Sequence, residues 1–119
     1  MINLTLPWPP SVNTMFPSSN QGRRFLSKRG KQYVVAVGCA FMQQVGRGHN
    51  VMTGRVAYRI RMMPPDRRKR DLSNHLKAIE DCLTKCGLWL DDSQVDDGQF
   101  TRGPIVKGGR VEMEVWEIA

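Results

Sequence analysis

The residues best suited to chemistry lie in the segment 64–77, which reads PPDRRKRDLSNHLK. Four consecutive cations precede the carboxylate of Asp71 in this segment: Arg67, Arg68, Lys69 and Arg70. Such a run suits the phosphates of a nucleic-acid backbone. An acid beside the cations would repel the same phosphates, so Asp71 needs a separate role. It either caps the free N–H groups of the following helix or binds a divalent cation.

A second group of acids follows in DDSQVDD at 91–97. Mg²⁺ takes one or two protein carboxylates and completes its shell with phosphate oxygens and water. A metal bound in this way promotes phosphodiester hydrolysis. Asp71 and Asp92, with Asp91 as a less certain member, are therefore candidate ligands. Lys77 is a candidate for stabilising transition-state charge or for acid–base catalysis. The alternative for 91–97 is a solvated turn, since spacing alone does not bring it to Asp71.

The charge distribution favours a nucleic-acid partner. The 119-residue chain carries a net charge of +7, and nine basic residues but no acid precede Asp66. A surface of this kind attracts a polyanion, with affinity that falls as salt rises. A merely basic soluble protein is the alternative. Because acids repel DNA unless a cation lies between them, the acids at 91–97 again favour a metal site.

Several functional classes are disfavoured. The sequence has no GxxxxGK[ST], GxGxxG or GxSxG motif, so we expect no nucleotide cofactor. No apolar run approaches the roughly 20 residues that span a bilayer, and the N-terminus does not read as a signal peptide. We therefore expect a cytoplasmic protein without a membrane partner. The odd number of cysteines, without metal-ligand spacing, predicts reduced thiols at Cys39, Cys82 and Cys86.

Alternating apolar and polar residues predict the strands that must position these groups, the third with either a bulge or a bend: 2–6, 55–62, 93–102 and 108–118. The Pro- and Ser-rich stretch 7–22 predicts a long ordered loop. Three arginines of the second strand, Arg55, Arg59 and Arg61, share one face and indicate an anion. A solvated strand face is the alternative.

Two helices complete the pattern. The first is predicted from an N-cap at Ser27 to Gly46, with an apolar side formed by Val34, Val35, Cys39, Phe41 and Met42. Cations crowd its first turn against the helix dipole, which hints at a phosphate nearby: Lys28, Arg29 and Lys31. The second helix has the apolar stripe Leu72, Leu76, Ile79, Leu83 and Cys86, and Gly87 as its C-cap. On it, Lys77 faces Asp81 at i,i+4. The order predicts one small α/β or α+β domain: two main helices packed on a mixed sheet.

These motifs together resemble the RusA family of Holliday-junction resolvases, small crossover-junction endodeoxyribonucleases of phages and prophage-bearing bacteria. The resemblance covers most of the chain, through LPWPPSVNTMF, PPDRRKRDLSNHLKAIEDCLTKCGLWLDDSQV and KGGRVEMEV. It implies a RusA-like homodimer that binds four-way junctions and makes symmetric paired nicks in DNA recombination and repair. It also implies Mg²⁺ as cofactor, with Mn²⁺ able to substitute.

The resemblance also assigns roles to single residues. Asp71 and Asp92 occupy the positions of essential aspartates, Lys77 that of the essential lysine, and Arg70 that of the basic residue before the first aspartate. Ser73 departs from the family pattern D-L-D-N, whose second aspartate it replaces. Either Ser73 holds a metal-bound water, or another acid such as Asp91 substitutes, or the protein cuts weakly and mainly binds branched DNA. We expect an active enzyme.

Overall fold

The computed structural model describes residues 1–119. Four strands form: β1 (Ile2–Leu6), β2 (Val56–Met63), β3 (Val95–Arg102) and β4 (Arg110–Glu117). Three helices accompany them: α1 (Val12–Met15), α2 (Lys28–Gln44) and α3 (Ser73–Cys86). A single 3₁₀ turn, Asp92–Gln94, leads into β3. All four predicted strands and both predicted helices are confirmed, whereas the predicted loop 7–22 contains the short helix α1.

The strands form one mixed sheet in the order β1-β4-β2-β3. Strands β2 and β3 are parallel, and the other two pairs are antiparallel. Parallel neighbours need a long crossover, which here contains α3. Of the bulge or bend predicted for the third strand, the structure has a bulge: Val95 lies opposite Val56 and Asp97 opposite Ala57, so Asp96 is the additional residue. The fold is therefore the predicted single α+β domain with a mixed sheet.

Helix α3 follows its predicted stripe. Leu72, Ile79 and Leu83 are buried, while Leu76 and Cys86 are partly buried against the same core. The helix ends at Gly87, which has φ 81° and donates its N–H to carbonyls of the last turn. This left-handed conformation suits glycine. The buried stripe fixes the rotation of α3 and thereby turns Lys77 outward.

Helix α2 is rotated relative to the prediction. Its buried face consists of Gly30, Tyr33, Val37 and Phe41. Of the predicted apolar side, Phe41 is buried and Val34 partly buried, whereas Val35, Cys39 and Met42 are exposed. The buried face includes a close approach at Gly30, where a Cβ would lie 2.8 Å from Leu26 Cδ1 and 3.0 Å from the Met15 carbonyl. Gly30 therefore allows α2 to pack closely on these residues.

The arginine row on β2 lies among acids. The strand register places Glu114 opposite Arg59 and Glu112 opposite Arg61, and Arg55 forms an ion pair with Asp96. Opposite charges in facing positions stabilise a sheet surface. The arginine row is thus part of a surface of mixed charge. Because glutamates of β4 lie opposite two of its arginines, the row no longer indicates an anion-binding site.

The three cysteines are free thiols, and burial raises the pKa of Cys82 and Cys86. The longest helix, α2, has 17 residues. No helix combines the length and the apolar character that crossing a bilayer requires.

Candidate active site and nucleic-acid surface

The structure brings Lys77 and Asp92 together, although 15 residues separate them in sequence. Lys77 projects from α3, and its Nζ donates a hydrogen bond to Asp92 Oδ2 at 3.0 Å. The bond with Asp92 raises the pKa of Lys77, which is therefore a cation at neutral pH. Both side chains remain accessible, at 52% and 30% exposure. The predicted contact of Lys77 with Asp81 is wrong, because Asp81 pairs with Lys85 at 3.0 Å.

The turn that presents Asp92 is fixed by its neighbours. Asp91 caps the 3₁₀ turn by accepting a hydrogen bond from the Ser93 N–H at 3.2 Å, and its bonds with Ser93 lower the pKa of Asp91. Buried Gln94 accepts from the Asp91 N–H at 2.8 Å and donates to the carbonyls of Met52 and Gly54. The two adjacent aspartates thus differ: Asp91 holds the turn, and Asp92 faces Lys77.

Asp71 lies at the start of α3 and bonds to Ser73. Its Oδ1 accepts hydrogen bonds from Ser73 Oγ at 2.8 Å and from the Ser73 N–H at 3.3 Å. These bonds attach Asp71 to the first residue of α3, whose N-cap position is Leu72 and has no side-chain cap bond, so Asp71 is not the N-cap residue. The carboxylate is exposed, and its Oδ2 has no hydrogen bond to the protein. Ser73 occupies the position of the second aspartate in the pattern D-L-D-N, and here it bonds directly to the first aspartate, Asp71.

The donor chemistry of these groups fits Mg²⁺. Asp71, Asp92 and Ser73 offer hard oxygen atoms, which Mg²⁺ prefers. No three His, Cys, Asp or Glu side chains converge closely enough to hold a metal ion by themselves. A substrate phosphate and water therefore have to supply the remaining ligands, as they commonly do for Mg²⁺.

The basic segment, residues 67–70, is organised by Asp66. Asp66 Oδ1 accepts from Arg70 Nη1 at 2.6 Å and from the Arg68 N–H at 2.9 Å. The Arg70 bond is the main reason that the pKa of Asp66 falls to about 2. The side chain of Arg70 is 15% exposed, and its guanidinium carbon lies 5.9 Å from the ring centroid of Trp8. Of the four predicted DNA-binding cations, three project into solvent: Arg67, Arg68 and Lys69.

One polar contact beside Lys77 was not predicted. Tyr58 is buried, and its hydroxyl donates a hydrogen bond to Glu80 Oε2 at 2.8 Å. Burial and the bond with Glu80 raise the pKa of Tyr58. Gly98 makes room for the phenol ring, since a Cβ there would lie 2.8 Å from Tyr58 Cζ. Glu80 follows Ser73 by seven residues and Lys77 by three, a helical spacing that was the available signal.

Comparisons with known proteins place these residues in a known family. The sequence model of the family described as Endodeoxyribonuclease RusA matches residues 7–116, a range that contains Asp71, Lys77 and Asp92. A relative from Enterobacteria phage 82 named crossover junction endodeoxyribonuclease rusA is 41% identical over 119 residues, covering 98% of this chain and 94% of the relative. A relative of the same name from Escherichia coli strain K12 has the same identity and coverage. A third, from Escherichia coli O139:H28, is 39% identical.

Proposed function

The chain belongs to the RusA family of endodeoxyribonucleases, and from this premise we propose that it resolves four-way DNA junctions by symmetric paired nicks. Its named relatives are crossover junction endodeoxyribonucleases. The observation that carries the proposal is the contact between Lys77 and Asp92 at 3.0 Å. Lys77 projects from α3 and Asp92 from the 3₁₀ turn before β3, while Asp71 and the basic segment directly precede α3.

The proposed division of labour follows from the contacts. Arg67, Arg68 and Lys69 hold the strand by its phosphates, and Arg70 supports this segment through Asp66. Asp71 and Asp92 would bind the cation, with Asp91 a weaker candidate because it caps the turn. Lys77, as an ammonium, stabilises negative charge on the scissile phosphate or protonates the departing oxygen.

We propose Mg²⁺ as the cofactor, with Mn²⁺ able to replace it. When bound, the cation would polarise the phosphodiester and lower the pKa of a water molecule. The support lies in the hard-oxygen donor set of Asp71, Asp92 and Ser73 and in the need for a positive charge between these acids and the DNA. Asp71 Oδ2 and Asp92 Oδ1 have no hydrogen bond to the protein. Both oxygens are therefore free to coordinate the cation.

We also propose that the protein acts as a homodimer. A junction needs two opposed cuts, and a two-fold dimer supplies two equivalent sites. Strand β3 supports the proposal: it is an edge of the sheet, and its residues from Asp96 to Arg102 are all exposed. An edge strand without cover is a common place for a second chain to add.

A second candidate function is binding of branched DNA with little cleavage. The observation that favours it is Ser73, whose hydroxyl donates to Asp71 where the family pattern has a carboxylate. A neutral hydroxyl binds a divalent cation less strongly than a carboxylate does. If this alternative holds, the basic segment still binds junctions while the cation site remains weak.

The experiment that separates the two functions uses an end-labelled synthetic four-way junction. With Mg²⁺ or Mn²⁺, the proposed enzyme releases products from two opposed strands at symmetric positions, and Asp71→Asn abolishes this release while junction binding persists. Asp71→Asn should bind as tightly as the wild type or more tightly, because a negative charge leaves the DNA surface. Binding without any nicking by the wild type, with either metal, would favour the second function.

A further inference from the structure

A concave depression lies on the surface beside the start of α3. Four separate parts of the chain form its walls: residues 8–14, the first turn of α2, residues 65–70 and His75 of α3. Four cations line it, and we call it the basic depression: Arg29, Arg68, Lys69 and Arg70. Fold topology therefore brings Arg29 of α2 to the basic segment, although about 40 residues separate them in sequence.

The positive charge of the basic depression is largely uncompensated. No acid is among its lining residues. Asp66 neutralises Arg70 at 2.6 Å, and its contact with Arg68 is longer, at 3.7 Å, with the arginine side chain 82% exposed. Arg29 and Lys69 form no ion pair. Like charges gathered in a concave surface repel one another and focus a positive potential, which a bound anion would relieve.

The other polar groups in the depression suit an oxyanion. Ser11 Oγ donates a hydrogen bond to Thr14 Oγ1 at 3.0 Å, so the Thr14 hydroxyl hydrogen remains available to a ligand. Arg70 is held in place by Asp66 and Trp8. Guanidinium groups bind phosphate through paired hydrogen bonds, and hydroxyl donors add to them. The depression thus offers several donors and charges toward one small anionic group.

We propose that the basic depression binds a backbone phosphate of the DNA strand that enters the candidate active site, with Arg29 as a phosphate ligand. Arg70 directly precedes Asp71, so the depression adjoins the residues proposed to cut. A strand held there by one phosphate presents a neighbouring phosphodiester to α3. This inference rests on the proposed function, because that function supplies DNA as the substrate.

The test compares Arg29→Gln with a matched control, Lys28→Gln. The sequence grouped Lys28 and Lys31 with Arg29 as residues near a phosphate, but of these three only Arg29 lines the depression. Lys28 lies on the same turn of α2 and is also exposed, so it serves as the non-contacting neighbour. Junction affinity is measured by fluorescence anisotropy without divalent cation, between about 0.05 and 0.2 M salt. Affinity decreases with salt, and for Arg29→Gln the negative slope of log affinity against log salt should become shallower by about 0.9 per protomer. Near 0.1 M salt, each lost contact should weaken binding roughly eightfold. Lys28→Gln should retain the wild-type slope and affinity.

Three results would overturn the inference. The first is an unchanged slope for Arg29→Gln. The second is an equal decrease in both variants, which would mean diffuse surface charge rather than a site. The third is an unchanged slope for Arg29→Gln together with a loss, in this variant alone, of the thermal stabilisation that inorganic phosphate gives. That result would mean that the depression binds free phosphate and not DNA.

Cleavage by the wild type keeps this inference separate from the proposed function. If the wild type resolves junctions and Arg29→Gln retains the full slope, the inference alone fails. If the slope decreases as predicted while the wild type never cuts, the phosphate site stands and the proposed endonuclease fails.

Discussion

The substitution Asp92→Asn distinguishes the catalytic role of this side chain from its contribution to the stability of the protein. Asparagine has the shape of aspartate and can still accept a hydrogen bond from Lys77 through its amide oxygen. The substitution therefore keeps the contact at 3.0 Å possible while it removes the negative charge. We expect junction cleavage to be lost and junction binding to be retained or strengthened.

The exposure of the pair determines the size of each effect. Lys77 is 52% and Asp92 30% exposed, and an ion pair in such contact with solvent contributes under about 1 kcal/mol. The melting temperature should therefore fall by no more than about 3–6 °C. Removing one preorganised electrostatic group from an active site costs about 10²–10³ in rate, or roughly 3–4 kcal/mol. The loss of activity should thus far exceed what the loss of stability explains.

Asp96→Asn is the matched control. Asp96 lies four residues after Asp92, is 46% exposed and pairs with Arg55, whose Nε donates to it at 3.0 Å. Its neutralisation should cost similarly little stability and leave cleavage within a few-fold of the wild type. The assay is the single-turnover rate on a labelled junction, alongside thermal melting of all three proteins. Comparable cleavage by Asp92→Asn and Asp96→Asn would refute a chemical role for Asp92.

Three further predictions test the surroundings of the site. Ser73→Asp places a second carboxylate beside the one at the helix start, so it should lower the melting temperature in chelator and restore it with Mg²⁺, as measured by melts with and without the cation. The hydrogen bond from Arg70 holds the pKa of Asp66 at about 2. The ion pair therefore stabilises the protein above the pKa of an unfolded aspartate, about 4, and this stabilisation is lost as pH falls toward about 2. The difference in urea midpoint between wild type and Asp66→Asn should disappear between these pH values. A difference that persists at about pH 2 would contradict the role of the Arg70 bond. Gly98→Ala puts a Cβ 2.8 Å from Tyr58 Cζ, which should cost about 1–3 kcal/mol in the free energy of unfolding, measured by denaturant titration; a neutral result would show that the ring moves freely.

The sequence was sufficient for the elements that have a single buried face. The stripe through Leu72, Ile79 and Leu83 located α3, and strict alternation located β4. Gly87 marked the helix end because its left-handed conformation favours glycine. Since α3 was correctly placed and rotated, the outward direction of Lys77 followed as well.

Features that depend on a distant partner were beyond the sequence. The buried face of α2 includes Gly30, which approaches Met15 and Leu26 closely, and a glycine does not register in an apolar periodicity. The arginine row on β2 looked free until the register placed Glu112 and Glu114 opposite it.

The same limit applies to the candidate site. Sequence spacing could not predict that Asp92 contacts Lys77 or that Arg29 lies beside the basic segment. Both arrangements depend on how the chain crosses over the sheet. Within the helix, by contrast, the position of Glu80 three residues after Lys77 was visible in the sequence. The bond between Glu80 and Tyr58 was not visible there, because it depends on how α3 packs on β2.

The most direct test of the central claim uses a supercoiled plasmid that extrudes a cruciform. Two coupled nicks across one junction convert this plasmid to a linear product, whereas a single nick relaxes it to an open circle. With Mg²⁺, the wild type should give linear DNA as the main product, and Asp71→Asn and Asp92→Asn should give neither product while they still bind the cruciform. Open circles alone, or intact plasmid despite binding with both Mg²⁺ and Mn²⁺, would contradict a junction-resolving endonuclease.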